Sequence, residues 1–119
     1  MKKILFGIIT FAASTFSIGA AEVPTFPGGE EALQKYIREN TRYPASAMEM
    51  GIEGIVTVGF IVNTDGTLTD IKIVKLIDPD IEQEAVRVVS GMPAWIPAEK
   101  DGVPVEAPST VEIPFILEE

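Results

Sequence analysis

The chain of 119 residues contains no histidine and no cysteine. Without an imidazole there is no Ser-His-Asp and no Cys-His catalytic arrangement, since both need a side chain that carries a proton near neutral pH. The two absences together also exclude most zinc sites, disulfide bridges and attachment of a lipid to an N-terminal cysteine. Positive charge is scarce: 9 Lys and Arg stand against 18 Asp and Glu, a net charge of −9. Such a surface repels nucleic acid and anionic lipid faces at ordinary salt and favours solubility. No stretch interleaves basic and aromatic residues as a nucleic-acid surface does.

Acid–base chemistry by paired carboxylates is the remaining catalytic option. The candidates are Asp78, Asp80, Glu82 and Glu84, but on a helix opening at Pro79 they scatter around the first turn, where acids complement the macrodipole. Asp78-x-Asp80-x-Glu82 imitates the start of a calcium loop, yet the sixth position, which needs glycine, is Gln83. Gly28-Gly29 is too short to cradle a phosphate and reads as a turn. Trp95, the one tryptophan, reads as a packing residue. No enzyme, metal or cofactor is expected.

What the chain does have is a size and an apolar content (46%) that suit one modest core. Its first 21 residues stand apart. Lys2 and Lys3 precede an uncharged, mostly apolar run from Ile4 to Ile18, and Gly19-Ala20-Ala21 supplies small residues for a signal peptidase. Residues 1–21 are therefore expected to be a signal peptide and the protein to be periplasmic. The alternative is an uncleaved anchor facing the periplasm, because residues 4–21 make 18 uncharged positions. Cleavage would remove two lysines and no acid, leaving 7 basic against 18 acidic residues and moving the net charge from −9 to −11.

Residues 22–28, with two prolines and a glycine, read as an extended lead-in to a domain over 29–119. Leu33, Tyr36 and Ile37 mark one face of a first helix from Gly29 to about Asn40. Tyr43-Pro44 opens a second, with Pro44 at its first position and Gly51 just past its end. Ile55 to Val62 is a strand with Val56, Val58, Phe60 and Val62 on one face; apolar residues on both faces make it central. Asn63-Thr64-Asp65-Gly66 turns the chain into a second strand over Leu68–Lys75, with Ile71 and Ile73 on one face. Asp78-Pro79 caps a third helix whose Ile81, Ala85, Val88 and Val89 share a face, ending near Gly91. Met92 to Pro108, with its prolines, is expected to lack regular structure apart from a turn at Lys100-Asp101-Gly102. Thr110 to Leu117 is the last strand. Pro114 lacks a ladder donor, which puts this strand at an edge of the sheet.

The ordered set Tyr43-Pro44-x-x-Ala47, Gly51-x-x-Gly54-x-Val56-x-Val58-x-Phe60-x-Val62, Asp65-Gly66, Glu84-Ala85-Val86, Trp95-x-Pro97, Gly102-x-Pro104-Val105 and Ile113-Pro114-Phe115 resembles the TonB C-terminal domain family. Phe26-Pro27-Gly28-Gly29 resembles versions of it that occur as short exported proteins. The resemblance covers about residues 26–117. It implies an α+β fold of order α-α-β-β-α-β, with a three-stranded antiparallel sheet packed on helices. It also implies binding rather than catalysis: members capture an extended peptide of an outer-membrane transporter beside the third strand, within energy-coupled transport. Carried over, the peptide-binding edge would comprise Thr110, Val111, Glu112, Ile113, Phe115 and Ile116, with Tyr43 and Pro44 as possible contacts. The partner would be a transporter or another envelope protein, and a monomer or a strand-exchanged dimer is compatible with an open edge. Two features depart from well-known members. The acidic balance replaces a basic one, and only residues 22–28 stand where a long linker would span the periplasm.

Overall fold

The computed structural model describes residues 3–5 and 22–118. The expected signal segment lies outside the described residues except for Lys3–Leu5, which forms a short strand, β1. There follow helices α1 (Gly29–Asn40) and α2 (Ala45–Met50), strands β2 (Gly54–Val62) and β3 (Leu68–Lys75), and helix α3 (Pro79–Ser90). The chain closes with β4 (Ala98–Lys100), β5 (Val103–Val105) and β6 (Ala107–Glu118). The main sheet runs β1-β6-β2-β3, all antiparallel. Its body is thus the expected three strands, β6-β2-β3, with β2 central. Lys3–Leu5 adds a fourth strand that pairs only with Ile116–Glu118.

Alternation in β2 decides which face is covered. Val56, Val58, Phe60 and Val62 are buried, as are Val111, Ile113 and Phe115 of β6. These seven form one cluster with Leu33 and Ile37 of α1, Ala47 of α2, and Ile81, Ala85, Val88 and Val89 of α3. The helices therefore lie on one side of the sheet, each presenting its apolar stripe. Asp78 caps α3 by accepting hydrogen bonds from the N–H groups of Asp80 (3.0 Å) and Ile81 (3.2 Å), with Pro79 as its first residue. Pro44 sits one position earlier than expected. Its ψ of 134° is extended, so it caps α2 instead of opening it. Its carbonyl still accepts from Met48 N–H at 2.9 Å.

Two corrections concern segments read as irregular. The proline-rich stretch after α3 contains the β4–β5 hairpin. Asp101 and Gly102 take positive φ (54° and 78°), the geometry of a tight turn matched to strand twist. The lead-in is not merely extended: Thr25 pairs with Ile96 through two backbone hydrogen bonds (3.0 and 2.8 Å), and Phe26 is buried against Tyr36 and Trp95. A core of this size recruits aromatic area from wherever the chain can supply it.

The β2–β3 pairing slips twice, between Thr57 and Val58 and between Gly59 and Ile61. Asp70, at φ 57°, lies opposite the second slip. Aspartate tolerates this left-handed conformation, and the bulge it permits keeps Ile71 and Ile73 packed on the core.

Candidate peptide-binding edge

β6 pairs with β2 in unbroken register from Ala107↔Val62 to Phe115↔Gly54. In an antiparallel ladder, the N–H and C=O of one residue point to the same neighbour, and successive residues point to opposite sides. Pro108 and Pro114 have no N–H, so the even-numbered residues point away from β2. Two contacts agree: Leu117 N–H donates to Glu53 Oε1 (2.7 Å), and the Phe115 carbonyl faces Tyr43, both on the β2 side. The outward side of β6 therefore offers N–H donors at Thr110 and Glu112, bracketed by two prolines, and carbonyl acceptors at positions 108, 110, 112 and 114. Farther along, the same side pairs Ile116 with Leu5 of β1. Among the described residues nothing pairs with β6 on that side between Ala107 and Phe115.

The sequence-derived edge residues divide by this alternation. Val111, Ile113 and Phe115 send their side chains into the core, with 1%, 0% and 0% exposure, and bond back to β2. They hold the edge in place and are not surface contacts. Thr110 is exposed and Glu112 half-buried, on the face away from the helices. Ile116 is half-buried and lies under β1 pairing.

Beside the free edge runs a groove of about 640 Å³, lined by Val23–Phe26 of the lead-in, by Leu33 and Ile37 of α1, by Trp95, and by residues 108–112 of β6. Glu30 is the acid on its helix side, Glu112 borders it through the β6 backbone with its carboxylate turned to the other face, and no lysine or arginine joins the lining. Trp95 stands edge-on to both Phe26 (5.8 Å) and Phe60 (5.1 Å), which fixes the groove floor. Its Nε1–H is sealed from the surface and lacks an acceptor among the described residues.

Tyr43 and Pro44 are not at this edge. They line a separate shallow depression with Arg42, Asp80, Gln83, Glu84 and Arg87. Tyr43 is 7% exposed, its hydroxyl donates to the Ile52 carbonyl and reaches the Phe115 carbonyl at 3.4 Å, and its ring meets Phe115 edge-on at 5.5 Å. Burial, reinforced by the charge of Glu53, pushes its phenol above the ordinary value. Tyr43 thus ties the exit of α2 to the end of β6.

The acidic candidates of the sequence also take structural partners. Asp78 caps α3, Ser46 Oγ donates to Asp80 Oδ2 (2.6 Å), and Ile77 N–H donates to Glu82 Oε2 (2.6 Å). Burial works to raise the Glu84 carboxyl, but hydrogen bonds from Arg87 and from Arg42 N–H, with both positive charges, outweigh it and hold the carboxyl low. Arg87 also donates to the Asn40 carbonyl (2.7 Å), binding α3 to the end of α1.

The groove residues Phe26, Leu33 and Ile37 were not among the sequence-derived sites. Their apolar spacing marks an inner face, but only the fold brings that face alongside β6. Pro108 did carry a readable signal. It stands six residues before Pro114, an even spacing that gives both prolines the same side of one strand.

An antiparallel sheet of order β6-β2-β3 packed on one face by three helices, with a proline-bracketed run of unpaired backbone on the outer side of β6 beside a groove, defines a small α+β domain of the TonB C-terminal type. The sequence profile described as "Gram-negative bacterial TonB protein C-terminal" matches residues 39–117, and the chain belongs to this family, which serves energy-coupled transport in the cell envelope. Protein TonB from two strains of Helicobacter pylori is 47% identical over 53 residues, 44% of this chain and 19% of the relative. The chain therefore spans a small part of the length of the curated relatives it matches. Two solution structures of the Helicobacter pylori TonB C-terminal domain superpose with TM-scores of 0.55 and 0.57, at 29% and 31% identity. They cover 71% and 78% of this chain and 89% and 88% of the solved ones. Among the described residues no helix is long and apolar enough to cross a membrane.

Proposed function

We propose that this protein is a periplasmic domain that binds an extended segment of an outer-membrane transporter, or of another envelope protein, as an added strand on the free side of β6. The observation that carries the reading is the pair of outward N–H donors at Thr110 and Glu112 next to an apolar groove. Backbone pairing there supplies affinity of about 0.5–1.5 kcal/mol per hydrogen bond, and the groove takes alternate side chains of the incoming strand. Pairing of Lys3–Leu5 with Ile116–Glu118 supports it, since the same side of β6 already takes one antiparallel strand.

Chemical-shift mapping with a candidate transporter segment tests this reading. The amides of Thr110 and Glu112 move on binding, and Glu112→Pro abolishes binding with the fold intact, because it removes an outward donor and no ladder bond to β2. Perturbation confined to α3, with residues 107–116 spared, would refute strand addition.

Export with cleavage before Glu22 belongs to the same proposal. Its check is the intact mass of the cellular protein. A membrane-bound form that keeps residues 1–21 favours the anchored alternative instead.

A further inference from the structure

We propose that the segment taken up on β6 is cationic, with a lysine or arginine at the position beside Glu112 and apolar residues immediately before and after it. The inference rests on strand addition at this edge and specifies what is added. A strand laid against the outward side of β6 places the residue next to Glu112 on the same sheet face as the Glu112 side chain. That face turns away from the helices, because Val111 and Ile113 on either side of Glu112 are buried in the core. The residues before and after that position project the opposite way, over the groove walled by Leu33 and Ile37.

Those two directions meet different chemistry. Toward the helices the walls are mainly apolar, formed by Phe26, Leu33, Ile37 and Trp95 with Glu30 as the one acid of α1 among them, and burying a charge against the apolar part without a partner is costly. On the other face the added residue meets a carboxylate that has no ion pair among the described residues, where the only one joins Arg87 to Glu84. Lys72 and Lys75 are on that face too, but each stands one strand farther off, opposite Gly59 and Thr57, which themselves stand opposite Thr110 and Glu112. Glu30 stands on the groove side, so its charge acts on an incoming cation from a distance and not across the pair with Glu112. The surplus of acids over the whole chain, 18 against 9, acts in the same direction at longer range and speeds the approach of a cationic segment.

The two prolines confine the free outward donors between Ala107 and Phe115 to Thr110 and Glu112, so a strand that bonds to both places one of its residues beside Glu112.

The test uses the isotope-labelled full chain and a set of seven-residue peptides, blocked at both ends, that differ only in a central residue X within Val-X-Val. X is Lys, Arg, Gln or Glu. Amide shifts at Thr110 and Glu112 report strand addition, and titration gives the affinity order. The expected order is Lys and Arg above Gln above Glu, with roughly a three- to tenfold span between Lys and Glu at low salt that narrows as salt rises. Glu112→Lys should invert the order and Glu112→Gln flatten it, with unchanged amide dispersion elsewhere. Equal affinities, or tighter binding of the Glu peptide, with Thr110 and Glu112 still shifting, overturn the cationic assignment and leave strand addition standing. If no peptide shifts those amides, both fall.

Discussion

Two glycines with similar backbone angles should respond very differently to alanine. Gly66 (φ 86°) and Gly102 (φ 78°) both lie in the left-handed region, where a Cβ costs about 1–2 kcal/mol. At Gly102 a Cβ would meet nothing within 4 Å, so Gly102→Ala should lose that amount and no more. At Gly66 the same Cβ would stand 2.3 Å from the Trp95 carbonyl oxygen and 3.2 Å from Ala94 Cβ. Backbone cannot swing aside as a side-chain tip can, so the β2–β3 turn and the Trp95 segment must part. Parting breaks the hydrogen bond from Trp95 N–H to the Gly66 carbonyl (2.9 Å), worth about 1 kcal/mol. It also loosens the edge-on contacts of Trp95 with Phe26 and Phe60, worth about 0.5–1.5 kcal/mol each. Gly66→Ala should therefore cost about 3–4 kcal/mol, a large share of the roughly 5–15 kcal/mol that holds a domain together. The melting temperature should fall by about 4–8 °C for each kcal/mol. Urea unfolding followed by the fluorescence of Trp95, the one tryptophan in the chain, reads both the stability and the contact. Equal losses in the two variants would refute the close approach of the turn to Trp95.

Phe60→Ala should cost about 3–5 kcal/mol, because Phe60 is 3% exposed and packs on Trp95; a loss under about 1 kcal/mol in denaturant titration would mean the phase of β2 is wrong. Tyr43→Phe should cost about 1–2 kcal/mol by removing the hydroxyl donor of the Ile52 carbonyl and the longer contact with the Phe115 carbonyl, measured by the same unfolding curves. Burial raises the phenols of both Tyr36 and Tyr43 above 10.0. A raised folded-state value means that the native protein holds the proton more tightly, so their contribution is complete below pH 10 and declines as pH climbs through the raised values; an alkaline melting series that stays flat there would contradict it. The Glu84 carboxyl is held low, so its contribution is present at neutral pH and is lost as pH falls through its lowered value. Glu84→Gln should then destabilise at pH 7 but not in strong acid, where the native carboxyl is protonated too.

The order of residues is enough to set the elements whose signal is local. The four apolar residues of α3 are spaced for one helical face, Asp78-Pro79 can only begin a helix well, and the alternation of Val56, Val58, Phe60 and Val62 sets which side of β2 meets the core. It also shows that these 119 residues supply no imidazole and no thiol, whatever their fold. The edge position of β6 followed from Pro114, because a lost donor is a property of the residue itself. Other features depend on which segments stand next to one another, and these arise from the packed fold. Phe26 belongs to the core because Thr25 pairs with Ile96, 71 positions away in the chain. The stretch after α3 holds a hairpin because Asp101 and Gly102 supply positive φ where the prolines on either side forbid a helix. Tyr43 faces inward because the chain just before α2 passes the end of β6, where the Tyr43 ring meets Phe115 edge-on. The groove exists because α1 and the lead-in lie beside β6, at sequence separations that no spacing within a segment encodes. Short-range patterns are written by dihedral preference and periodicity, which act over a few residues. A binding edge is made by long-range packing, in which each segment's free energy depends on surfaces contributed by all the others.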